Sequence, residues 1–213
     1  MQWPLLAEVP EEDLRHVLSI ARRRTFGRNE VVFHRGDPGD TLHLVVSGRF
    51  ASRIATPVGD TILIAVYGAG DTFGELALVG AGAARSATVG ALEPSETWSI
   101  LRDDFTRLLE RNPGVNSVLV AILADQVRRS NERVLEAYHV GADTRVRRRL
   151  LELTEIYPDG AIPLTQEDLA GMAGTSRATV NRVVRADAKR GIVELRRGRT
   201  IVLQPDELAR RAT

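Results

Sequence analysis

The chain of 213 residues has no cysteine, and only one of its 29 basic residues, Lys189, is a lysine. Without thiols there can be no disulfide, no thiol nucleophile, no thiolate zinc site and no iron–sulfur cluster held by cysteines. Prolines number only 9, and no low-complexity tract occurs. With 43% hydrophobic and 27% charged residues, disordered and fibrous classes give way to a globular chain. The longest unbroken apolar run, Val118 to Ala124, is seven residues, far short of the ~20 that cross a bilayer. The N-terminus lacks the basic-then-apolar layout of a signal peptide. A cytoplasmic protein without membrane contact is expected.

The length suggests two modest domains, or one core with an appended module. The net charge of +1 hides an asymmetry: residues 1–140 carry 15 basic against 18 acidic residues, and 141–213 carry 14 against 10. A basic C-terminal third points toward nucleic acid, because neutralising phosphates is the main non-specific binding force.

Glu11, Glu12 and Asp13 open a helix whose apolar stripe is Leu14, Val17, Leu18 and Ala21. From Phe26 to Leu101 the period changes to two (Val31, Phe33; Leu42, Leu44, Val46; Ile62, Ile64, Val66; Val89, Ala91; Trp98, Ile100), broken by Gly36, Gly39, Gly48, Gly59, Gly68 and Gly70. Short strands at that spacing make a β barrel, sandwich or roll.

Asn112-Pro113 reads as an N-cap followed by a first-turn proline, opening a helix that runs to about Gly141. Such a helix is ~42 Å long, more than a small domain is wide. Val120, Leu123, Val127, Ser130, Val134 and Ala137 fall on a and d positions of three heptads, while Leu119 and Ile122 form a second stripe toward the β domain. Two surfaces to bury predict a parallel homodimer; the alternative is a helix wrapped by its own domain.

The next helix combines Val146, Leu150 and Leu153 with a basic face of Arg145, Arg147, Arg148 and Arg149. Thr165 with Asp168 forms a variant capping box over Gln166. Ala170, Gly174, Val180 and Val183 then stand where a helix-turn-helix needs a small contact residue, a tight turn and buried branched residues. The second helix shows Arg177, Ala178, Asn181, Arg182 and Arg185, preceded by the hydroxyls of Thr175 and Ser176. Arg177 and Arg182 are candidates for guanine readout, because a guanidinium fits O6 and N7 together. Strands over Ile192–Leu195 and Thr200–Leu203, joined at Arg197-Gly198, add a wing bearing Arg196, Arg197 and Arg199. The whole is a winged helix-turn-helix for double-stranded DNA. A solvated basic face on an ordinary helical hairpin is the competing interpretation.

In the β region, Asp71 to Leu78 is a turn entering a short apolar helix, and Arg85-Ser86 follows. Glycine lets a ligand approach the backbone, free N–H groups attract an anion, and arginine with a hydroxyl completes a phosphate cradle. Glu75 fits such a site if it accepts from sugar hydroxyls; otherwise Glu75 and Arg85 form a plain salt bridge.

Gly36-Asp37, Ser47-Gly48, Gly70-Asp71, Phe73-Gly74-Glu75-Leu76-Ala77-Leu78, Arg85-Ser86-Ala87, the long helix, Thr175-Ser176-Arg177 and Thr179-Val180-Asn181-Arg182 stand in an order that resembles the cyclic AMP receptor protein family, the Crp-Fnr regulators. The resemblance covers nearly the whole chain. It implies an α+β chain: a jelly-roll-like β-roll cyclic-nucleotide domain over 1–111, a dimerisation helix over 112–141 and a winged helix-turn-helix over 142–213. It implies cyclic AMP as allosteric ligand, with Glu75 on the ribose 2′-hydroxyl, Arg85 and Ser86 on the cyclic phosphate, and Gly74, Leu76 and Ala77 framing them. Adenine would be read by Ser130 and, across the dimer, Asn131, where relatives have threonine and serine.

The expected DNA-contacting set is Thr165, Gln166, Thr175, Ser176, Arg177, Ala178, Asn181, Arg182, Arg185 and Arg197. Ala178 replaces a glutamate that would read cytosine, so the half-site should resemble TGTGA but be relaxed at that pair. The absence of cysteine rules out the oxygen-sensing iron–sulfur branch. His16, His34, His43 and His139 lack a spacing for haem ligation and are surface or packing residues. No catalytic triad, paired-acid site or Walker loop occurs, so no enzyme is expected; RNA polymerase is an expected partner. Two alternatives remain: a family member active without ligand or tuned to cyclic GMP, and a nucleotide-binding module acting on a protein partner.

Overall fold

The computed structural model describes residues 3–56, 61–79 and 84–213; Gly59 lies outside the described residues. A 3-10 turn, Pro4–Leu6, precedes helix α1 (Glu11–Ile20). Then come β1 (Arg22–Phe26), β2 (Val31–Phe33), β3 (Thr41–Ser47), β4 (Phe50–Ala55), β5 (Thr61–Tyr67), β6 (Thr72–Phe73), the single-turn α2 (Leu76–Val79), β7 (Thr88–Ala91) and β8 (Ser95–Leu101). Helices α3 (Arg102–Arg111), α4 (Pro113–His139) and α5 (Ala142–Ile156) lead to β9 (Ala161–Ile162), α6 (Gln166–Ala173), α7 (Arg177–Ala188), β10 (Val193–Arg196), β11 (Arg199–Val202) and α8 (Pro205–Arg210).

The described strands before α3 form two four-stranded sheets, ordered β1-β8-β3-β6 and β2-β7-β4-β5. Neighbours are mostly non-consecutive, so the chain repeatedly crosses between sheets, as the expected roll requires. Strand β3 is covered on both faces. Leu42 and Leu44 join Trp3, Val17, Ile100, Phe105 and Leu119 in one core, whereas Val45 joins Phe26, Phe50, Phe73 and Val89 in another. Packing of the first core is what ties α1, α3 and the start of α4 to the sheet.

Residue contacts divide the chain into two compact units, 1–53 with 66–129 and 54–65 with 130–213. In the second unit the start of β5 lies against α6: a Cβ on Gly171 would stand 3.1 Å from the Ile62 Cα and the Leu63 nitrogen. Leu63 is accordingly buried and Ile62 exposed, the reverse of the phase expected for this strand.

Asn112 directly precedes Pro113, where α4 starts, and its amide nitrogen donates to Asp13 Oδ2 at 3.0 Å and to the Leu108 carbonyl at 3.3 Å, tying α1 to α3. Two other expectations are corrected. Leu123 leaves the proposed seam, because it lies one turn after Leu119 and packs with it against the first core. Val120, Val127 and Val134 remain 56–65% exposed, and Leu135 and Tyr138 widen that apolar stripe.

The arginines of α5 are the second correction, for they do not form an outward basic face. Arg147 pairs with fully buried Asp187 of α7, Nε donating to Oδ2 at 2.8 Å. Arg148 and the buried Arg149 both bond Glu136 of α4. Arg145 donates to the carbonyls of Val140, Ala173 and Gly174. A buried charge must find an opposite charge or carbonyls, and these four arginines fasten the end of α4 to the helix-turn-helix.

Among the described residues, no helix is long and apolar enough to cross a membrane, and no His/Cys/Asp/Glu group could hold a metal ion.

Candidate functional site

Gly74, Glu75, Leu76, Ala77, Arg85 and Ser86 line one cleft of about 320 Å³ in the first unit, together with Phe33, Ser52, Tyr67 and Phe73. Gly74 has φ +91°, and a Cβ there would lie 2.7 Å from Arg85 Nη1 and 2.9 Å from the Thr41 carbonyl. Only glycine tolerates both the left-handed backbone and that approach.

Arg85 is 4% exposed. Its Nη1 donates to the Gly74 carbonyl at 3.0 Å and its Nη2 to Thr41 Oγ1 at 2.7 Å, with Asp40 3.6 Å away. The guanidinium lies over the Phe33 ring, 4.1 Å from its centre. Its Nε is buried without a hydrogen-bond partner, a condition that costs about 1–3 kcal/mol. Burial pulls the guanidinium pKa down, and Asp40 opposes that pull.

Glu75 is 5% exposed and does not bridge to Arg85; the side chain that reaches it is Gln126 of α4, Nε2 donating to Oε1 at 3.3 Å. Burial pushes the Glu75 carboxyl above its usual range, and Gln126 and Arg85 offset part of that rise. A buried carboxyl and a buried guanidinium thus line one cleft without bonding each other. Such an arrangement suits a ligand with hydroxyls at one end and an anion at the other.

Sequence reading missed Gln126 and Arg102. Arg102, at the start of α3, donates to the carbonyls of Leu78 (3.1 Å), Ala77 and Gly39, and so holds α2 in place. Each lies far along the chain from what it contacts, so no local pattern marks it. Ser130 and Asn131 are exposed on α4 within the second unit, with Ser130 one turn past Gln126.

In the second unit, Thr165 caps α6 through a reciprocal capping box with Asp168. Gly174 ends that helix in the left-handed conformation, φ 58° and ψ 47°, the backbone expected of the tight turn. Ala170, Val180, Val183 and Val184 are buried, so α7 is seated as the spacing predicted. Arg177, Ala178, Arg182 and Arg185 are exposed on α7, as is Arg197 on the β10–β11 wing, while Thr175 and Asn181 are half-buried. The Ser176 hydroxyl caps α7, accepting from the Thr179 N–H at 3.2 Å. Asn181 donates to Gln166 Oε1 at 2.9 Å, joining the two helices. Arg182 is held by Asp143, and Arg196 by Glu194 within the wing. β9, which the sequence did not suggest, adds a third strand to the wing sheet by pairing with β11.

The cyclic nucleotide-binding domain family matches residues 23–112, and the Crp-like helix-turn-helix domain family matches residues 144–211. The cyclic AMP receptor protein of Thermus thermophilus is 35% identical, over 90% of this chain and 88% of its own. A CRP-like cAMP-activated global transcriptional regulator of Mycobacterium tuberculosis is 30% identical over 88% and 86%. The solved Thermus thermophilus catabolite activator protein covers 98% of both chains at 32% identity and a TM-score of 0.58. Similarity along nine tenths of the length, joining a nucleotide domain to a DNA-binding one, places the chain in the cyclic AMP receptor protein family: it is a cyclic-nucleotide-binding, DNA-binding transcription regulator and not an enzyme.

Proposed function

We propose that the chain is a homodimeric regulator whose DNA affinity is set by cyclic AMP. The observation that carries this is the cleft in which Glu75 and Arg85 are both buried yet unpaired with each other. Glu75 accepts from the ribose 2′-hydroxyl, Arg85 and Ser86 bind the cyclic phosphate, and Gly74, Leu76 and Ala77 wall the sugar. Ser130 of one subunit and Asn131 of the other meet the adenine amino group, Asn131 through its carbonyl.

The boundaries follow from these roles: a nucleotide domain over 1–111, a dimerisation helix over 112–141 and a DNA-binding domain over 142–213. The exposed stripe of Val120, Val127, Val134, Leu135 and Tyr138 supports pairing of two α4 helices. Bound nucleotide orders that pair toward the hinge at Gly141 to Thr144 and sets the two α7 helices about one DNA turn apart, ~34 Å. Arg177, Arg182 and Arg185 with Asn181 and Ala178 face the bases. Thr165, Gln166, Thr175, Ser176 and Arg197 lie toward phosphate, on a palindrome of TGTGA-like half-sites. The regulator works in the cytoplasm, where its DNA is, and RNA polymerase is its further partner.

Calorimetric titration with cyclic AMP, cyclic GMP and AMP, followed by fluorescence anisotropy on a TGTGA palindrome, tests this. Cyclic AMP binding that raises DNA affinity by ~5- to 150-fold is expected, with reciprocal tightening of the nucleotide. DNA affinity that ignores all three nucleotides would mean that the protein acts without ligand.

A further inference from the structure

Beside Arg85 the first unit contains a line of polar groups, the half-buried Thr41 and the buried His43 and Thr97. Thr41 and His43 lie two apart on β3 and so share a face. Thr41 Oγ1 accepts from Arg85 Nη2 at 2.7 Å and faces His43 Nε2 at 3.3 Å. On its other side, His43 Nδ1 meets Thr97 Oγ1 of β8 at 3.1 Å. His43 is 3% exposed and Thr97 fully buried.

The imidazole is fixed in the plane as well as along its edge. It stacks on Phe73 with ring centres 5.0 Å apart and planes 6° apart, and Phe26 and Phe33 close round it. Burial, with Arg85 and Arg24 nearby, depresses the ring pKa to about 3. The ring is therefore neutral at ordinary pH, so it adds no positive charge beside Arg85. The Thr41 oxygen, already accepting from Arg85, sends its own proton either to His43 Nε2 or to Asp40 Oδ1, each 3.3 Å away.

Resting on the nucleotide assignment above, we propose that Thr41 and His43 are positioning residues that align the Arg85 guanidinium for the cyclic phosphate. The planar fork of an arginine binds an anion well only in one orientation. Arg85 makes two hydrogen bonds that set it, to the Gly74 carbonyl and to the Thr41 hydroxyl, beside the Asp40 carboxylate and the Phe33 ring. Gly74 belongs to the cleft wall itself. Thr41 is the anchor supplied by β3, and the Thr97–His43 pair holds it in one rotamer.

Two readouts test the proposal. The first is cyclic AMP affinity by calorimetry for wild type, Thr41→Val, Thr41→Ser and His43→Phe. Valine keeps the shape and removes the hydroxyl, serine restores it, and phenylalanine keeps the stacking without the ring nitrogens. The expected result is about a 10-fold loss for Thr41→Val, recovery to within 2-fold for Thr41→Ser, and a 3- to 10-fold loss for His43→Phe, because one displaced charge-assisted bond is worth about that much.

The second needs no ligand: the Arg85 guanidinium protons, assigned by nitrogen-15 NMR with Arg85→Lys as reference, should exchange at least 10-fold faster in Thr41→Val and at the wild-type rate in Thr41→Ser. Unchanged exchange in both Thr41→Val and His43→Phe would overturn the proposal whatever the nucleotide result. If wild type bound no cyclic AMP, the nucleotide assignment would fall, while the exchange rates would still decide whether Thr41 aligns Arg85.

Discussion

Asp143, in the first turn of α5, grips Arg182 of the recognition helix α7 with both carboxylate oxygens: Nη1 donates to Oδ2 at 2.8 Å and Nη2 donates to Oδ1. Arg182 cannot read a base while so held. The side chains are 62% and 41% exposed, so the pair is a weak, solvent-screened contact and is easily exchanged for DNA. Asp143→Asn should therefore tighten binding to a TGTGA-type duplex by up to ~5-fold in anisotropy at fixed salt. In an Arg182→Ala background the same change should do little. Weaker binding by Asp143→Asn would instead mean that the carboxylate holds Arg182 in its productive pose.

The buried pair Arg147–Asp187 predicts a stability effect. Asp187 is fully buried and Arg147 nearly so, so Arg147→Ala strands a carboxylate in the core. The expected loss is ~3–5 kcal/mol in urea unfolding. Replacing both, as Arg147→Met with Asp187→Leu, should recover most of it. A loss under ~1 kcal/mol for the single change would show that Asp187 finds another partner.

His43 predicts a pH dependence. Its folded pKa is about 3, set by burial and by Arg85 and Arg24, whereas an unfolded histidine titrates near ~6.5. Above that pH both states are neutral. Between ~6.5 and 3 the unfolded chain takes up a proton that the folded ring refuses, so stability falls as pH falls, by up to ~1.4 kcal/mol per unit. Urea midpoints from pH 7 to 5 should decline more steeply in wild type than in His43→Phe; parallel slopes would place His43 in contact with water.

Glu75 behaves in the opposite sense. Burial raises its folded pKa, so its contribution to stability is lost as pH rises through the carboxylate range, and at neutral pH the charge opposes folding. Glu75→Gln should raise the melting temperature of the unliganded protein by ~2–4 °C and abolish any further rise on adding cyclic AMP. A variant that melts lower than wild type would mean that Gln126 already compensates the charge.

What could be read along the chain was whatever local spacing encodes. The existence of strand β3, the capping box at Thr165, the turn at Gly174, the buried valines of α7 and the long α4 are read from short-range patterns. Each appears where expected, because propensity and burial agree within a few residues. Strand β1 was not legible: its Arg22-Arg23-Arg24 run is exposed and is a strand only because it pairs with β8. Helix α3 was overlooked too, since within its polar sequence only Phe105 and Leu108 are buried.

The sequence alone determined the class of molecule: a domain of short β strands with a Gly-Glu-Leu turn, a long helix and a basic winged helix-turn-helix follow from residue order and spacing. Only the tertiary structure decided which charges meet. It separated Glu75 from Arg85, turned the arginines of α5 inward, bound Arg182 to Asp143 and placed Thr41 and His43 beside Arg85. Those pairings join residues tens of positions apart, chosen by strand register and helix packing, and where they are buried, as at Arg147–Asp187, desolvation fixes them because a buried charge must find a partner wherever the fold brings one.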